Sequence, residues 1–79
     1  MEYSVLCVDA WGLKHSRPFS GRVLGVDSVT EAAKKWLARF YDKNLDVLSV
    51  SVEKTLKSPN VSTVTLNCDG GKVFFLYVF

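Results

Sequence analysis

The run Val73-Phe74-Phe75-Leu76-Tyr77-Val78-Phe79 constrains this chain more than any other segment. Its aromatic and β-branched residues fit extended backbone. Alternate side chains of a strand point to opposite faces. Val73, Phe75, Tyr77 and Phe79 therefore share one face, and Phe74, Leu76 and Val78 share the other. Both faces are apolar. Such a strand belongs at the centre of a sheet, or has its second face covered by another molecule.

The pattern offers one helix to cover it. Ser28-Val29-Thr30-Glu31 fits the S-x-x-E capping box, in which the serine hydroxyl and the glutamate carboxylate satisfy backbone donors reciprocally. Val29, Ala32, Ala33, Trp36, Leu37 and Phe40 then recur at three- and four-residue steps and draw one apolar stripe. Lys34, Lys35, Ala38, Arg39 and Asp42 fall outside it and should face water. The pattern predicts a helix over 29–43, with Asn44 as a left-handed stop.

Strands account for the rest. Leu48, Val50 and Val52 alternate with Ser49, Ser51 and Glu53, and Val64, Leu66 and Cys68 alternate with Thr63, Thr65 and Asn67. Lys57-Ser58-Pro59-Asn60 and Asp69-Gly70-Gly71 carry turn chemistry between these runs. Before the helix, Tyr3 to Val8 reads as a strand that can continue through Trp11, and Phe19 to Val26 as a second one. The segment from Gly12 to Pro18 is a polar, basic loop.

The order β-β-α-β-β-β predicts a single α+β domain over 1–79: an antiparallel sheet of about five strands with one amphipathic helix packed on one face. In this arrangement Trp36, Leu37 and Phe40 fill the core against Leu48, Val50, Leu66 and Phe75. The second apolar face of the last strand then predicts a dimer or sheet-face contact through Phe74, Leu76 and Val78.

Composition narrows the functional classes. With 79 residues, 48% hydrophobic and 23% charged, the chain is a small domain with one core and no room for a deep cofactor cleft. No apolar run reaches the roughly 20 residues of a membrane-spanning helix. The start lacks a signal peptide's cationic and apolar regions, which points to the cytoplasm. Cys7 and Cys68 form no C-x-x-C pair, and with a single histidine, His15, they complete no zinc site. Each reads as a small buried hydrophobe, with a disulfide as the alternative. Phosphate-binding glycine loops and metalloprotease motifs are absent. Nothing pairs His15 with a nucleophile beyond its neighbour Ser16, so the chain is read as non-enzymatic, without metal or cofactor.

The net charge of +2 conceals an asymmetry. Between residues 14 and 43 seven basic residues face three acidic ones, and elsewhere three face five. Lys14, Arg17, Lys34, Lys35 and Arg39 are therefore the candidate electrostatic contacts with a partner, and Trp11 the candidate apolar anchor. The same cations also admit a small nucleic-acid-binding domain that uses the basic helix face.

Size, element order and the Ser-Val-Thr-Glu-Ala-Ala helix start at Ser28–Ala33 resemble several small phage-encoded anti-CRISPR proteins. The resemblance spans most of the chain and transfers no functional residue by position. It implies a phage-encoded inhibitor acting in the host bacterial cytoplasm. Such a protein binds a CRISPR-Cas effector complex, with or without its guide RNA, and blocks target-DNA recognition or nuclease recruitment. The competing expectation is a homodimeric or adaptor-type interaction module of phage or plasmid origin.

Overall fold

A computed structural model describes residues 1–14, 20–54 and 59–79. The elements are β1 (Glu2–Trp11), β2 (Gly21–Leu24), α1 (Val29–Phe40), β3 (Val47–Lys54), β4 (Ser62–Cys68) and β5 (Val73–Val78). They form a five-stranded sheet in the order β2-β1-β5-β4-β3. Each adjacent pair is antiparallel. The α+β architecture and the element order follow the sequence expectation.

β5 lies at the centre, where its two apolar faces place it. Its register with β1 sets Val78 opposite Val5 and Leu76 opposite Cys7. On its other side Val64 faces Leu76 and Leu66 faces Phe74. All of these residues are buried under the helix. Trp36 and Tyr41 meet the Phe74 ring edge-on, with centroids 6.1 and 5.1 Å apart. The expected sheet-face contact of Phe74, Leu76 and Val78 is thus corrected: these three are core, and Phe75, assigned to the core, lies on the opposite face. Leu48 leaves the expected core as well. A bulge between Val47 and Ser49 turns Val47 toward the core and leaves Leu48 68% exposed.

The helix begins as read. The Ser28 hydroxyl accepts from the Glu31 amide at 3.2 Å, while the Glu31 carboxylate accepts from the amide of Asp27 rather than of Ser28. It ends at Phe40, short of the expected 43. Both Tyr41 and Asp42 donate to the Leu37 carbonyl at 3.0 Å, and the chain turns off so that the Tyr41 ring reaches Phe74. Asn44 is no left-handed stop: among the described residues positive φ occurs only at glycines. Its amide instead donates to the Asp42 carboxylate at 2.9 Å. One of those glycines, Gly25 at φ 71°, turns the chain just past Leu24, so β2 is shorter than the expected 19–26. The Phe40 ring packs directly over Gly21, where no side chain fits beneath it. Phe19, Lys57 and Ser58 lie outside the described residues.

Candidate interaction surface

The sheet face away from the helix is built by one irregularity in β1. Val5 and Cys7 point into the core, so unbroken alternation would send Asp9 and Trp11 there too. A bulge between Cys7 and Asp9 resets the register. Ala10 then faces Phe74 on the core side, while Asp9 and Trp11 stand opposite Phe75 and Val73 on the open side. The Cys7 thiol donates to the Asp9 carbonyl at 3.5 Å, across the bulge.

The result is an aromatic stripe along β1 and β5. Trp11 packs edge-on against Phe75 with centroids 5.0 Å apart, yet remains 60% exposed. Leu6 stands opposite Tyr77. Phe79 continues the stripe, exchanging backbone hydrogen bonds with Ser4 at 2.6 and 2.9 Å. Tyr77 and Phe79 are 42% and 52% exposed. Toward β3 the face is hydroxylic, with Thr63, Thr65 and Ser51 in register beside the stripe. Toward β2 it holds an open depression of about 320 Å³, lined by Ser4, Leu6, Arg22 and Phe79 among others.

Among the described residues, the charges of this face are mostly negative. Glu2, Asp9 and Glu53 share it with Arg22, whose guanidinium pairs with Glu2 at 3.4 Å. Asp9 orients its surroundings, because its carboxylate accepts from the Ala10 amide at 2.9 Å and from the Trp11 indole at 3.3 Å.

The residues singled out from sequence do not come together. Trp11 belongs to the open sheet face, and Lys14 is exposed just beyond the end of β1. Lys34, Lys35 and Arg39 are exposed on the helix, which lies on the other side of the sheet. The Lys35 ammonium donates to the Leu24 carbonyl at 2.9 Å, and the Arg39 guanidinium lies over the Phe40 ring at 5.5 Å. Arg17 and His15 fall outside the described residues. Sequence reasoning missed Leu6, Asp9, Phe75 and Tyr77 as surface residues. The available signal was Asp9, a charge at a parity that unbroken alternation would bury.

Both cysteines are buried, and no disulfide joins them. Cys7 shares a rung with Leu76 and Val64, and Cys68 lies four residues along β4 from Val64. That is about 13 Å along the strand, beyond the reach of a disulfide. Burial pushes the Cys68 thiol pKa up, against the opposing charge of Lys72. A neutral, enclosed thiol is a packing residue and a poor nucleophile. Among the described residues no three His, Cys, Asp or Glu side chains gather as metal ligands, and no helix is long and apolar enough to cross a membrane.

Fold and surface together define a two-layer α+β domain with an uncovered aromatic sheet face. No protein-family model, curated protein or solved structure matches the chain.

Proposed function

We propose that this protein is a non-catalytic inhibitor that docks on another protein through its open sheet face, the partner being a CRISPR-Cas effector complex. The observation that carries the docking reading is the exposed stripe of Trp11, Tyr77 and Phe79 beside Phe75 on a rigid, hydrogen-bonded sheet. Large aromatic side chains on a preformed surface supply binding energy at low entropic cost, and they dominate interface hot spots. The choice of partner follows from the resemblance in size, element order and helix start. The net negative charge of the described residues on the face opposes stacking of nucleic acid, whose phosphates need cations alongside the aromatics.

The test is affinity capture from a nuclease-treated bacterial lysate that expresses CRISPR effectors, comparing the native protein with Trp11→Ala and Tyr77→Ser. Both substituted side chains are largely exposed, so each variant should stay folded, its melt lowered by no more than about 1 kcal/mol of lost packing. The native protein recovers the effector complex, and each variant recovers at least about tenfold less. Recovery of unrelated proteins, or of nucleic acid alone, overturns the proposal.

A further inference from the structure

We propose that the open sheet face recognises an arginine-bearing segment of its protein partner, with the guanidinium stacked on Trp11 and paired with Asp9. This inference rests on the docking reading and names the chemistry of the partner.

Three observations converge on it. The Trp11 indole is held between the Phe75 ring and the Asp9 carboxylate, and 60% of the residue stays open to solvent. An exposed indole beside a carboxylate offers a cation both a π-face and a counter-charge. Asp9 also has capacity to spare. Each of its carboxylate oxygens accepts one hydrogen bond, from Ala10 or from Trp11, and a carboxylate offers about four lone-pair sites. Finally, among the described residues the one cation placed on this face, Arg22, is already engaged by Glu2. Among the described residues Asp9 and Glu53 have no ion-pair partner. A planar guanidinium stacks and hydrogen-bonds at once, which a lysine ammonium cannot do.

The charge pattern also separates this occupant from others. Phosphate would meet Glu2, Asp9 and Glu53. A second copy that answers these carboxylates with cations would have to present a different surface, such as its helix layer, to this face. That contact is head-to-tail and propagates into open assemblies instead of closing as a dimer.

The experiment is a titration of the ¹⁵N-labelled protein with the peptide acetyl-Gly-Arg-Gly-Arg-Gly-amide, read at the Trp11 indole N–H resonance. The buried Trp36 indole serves as reference. Matched peptides replace arginine by lysine or by citrulline, its neutral isostere. A saturable shift of Trp11 is expected with the arginine peptide, at least about tenfold weaker with citrulline and several-fold weaker with lysine. Asp9→Asn should lower the arginine peptide's affinity about tenfold, with the melt and the Trp36 resonance unchanged. Equal shifts with citrulline, no shift at millimolar peptide, a stronger response to a single-stranded oligonucleotide, or concentration-dependent broadening without peptide would each overturn the inference. Capture separates its failure from that of the docking reading. If Asp9→Asn retains the partner while Trp11→Ala loses it, docking stands and arginine recognition falls; if Trp11→Ala also retains it, docking itself fails.

Discussion

At Gly12 the backbone sits at φ 76°, and a Cβ added there would meet the Gly71 carbonyl oxygen at 2.5 Å. Two demands coincide: a left-handed conformation, and close approach to the turn that leads into β5. Gly25 has a similar φ of 71°, but beyond its chain neighbours no atom lies within 4 Å of where its Cβ would be. Gly25→Ala therefore incurs only the left-handed strain of about 1 kcal/mol, whereas Gly12→Ala adds a backbone clash and should cost roughly 2–3 kcal/mol. Thermal melts of the two variants check the order, and equal losses would show that the Gly71 contact yields freely. Individual residues were partly legible in advance. Cys7 and Cys68 read as small buried hydrophobes because each sits at an apolar strand position, and both are buried. Asp9 is a carboxylate at a core parity, a physical contradiction that the bulge resolves.

Among the elements, α1 was the most legible, because its capping box and its stripe are local signals that neighbours do not alter. Replacing Ser28 by Ala removes the hydroxyl that accepts from the Glu31 amide. It should lower stability by about 1 kcal/mol in a denaturant titration, with an unchanged slope. The helix end was misread for a tertiary reason: Tyr41 leaves the helix to pack on Phe74, a contact no local pattern announces. β5 shows the same division. Its existence was readable from seven consecutive apolar residues, which admitted either a central place or a second face covered by another molecule. Its orientation was not, since side chains of similar character stand at both parities.

At the scale of the whole molecule, the described residues of the two layers carry opposite charge. The helix presents Lys34, Lys35 and Arg39 against Glu31, and the sheet face presents Glu2, Asp9 and Glu53 against Arg22. A partner seated on the sheet face does not reach the helix cations. The double variant Lys34→Glu/Arg39→Glu should therefore capture the partner within about twofold of the native protein. A tenfold loss with an intact melt would instead move the docking site to the helix layer. The basic character that stood out along residues 14–43 is thus spread in space. Lys14 lies beyond the end of β1, Arg22 is paired at the β2 edge, and the remaining described cations are on or after the helix.

The amino-acid sequence by itself determined the elements, their order and the α+β class. Capping, stripe spacing and period-two alternation are properties of neighbouring residues, and here they agree with one another. Only the tertiary structure decided which side chains are core and which are surface. An all-apolar strand carries no information about its own orientation, and the bulge in β1 reverses every side chain that follows it. That one inserted residue turns Trp11 from the core parity to the open face beside Phe75, and so creates the surface from which the function is proposed.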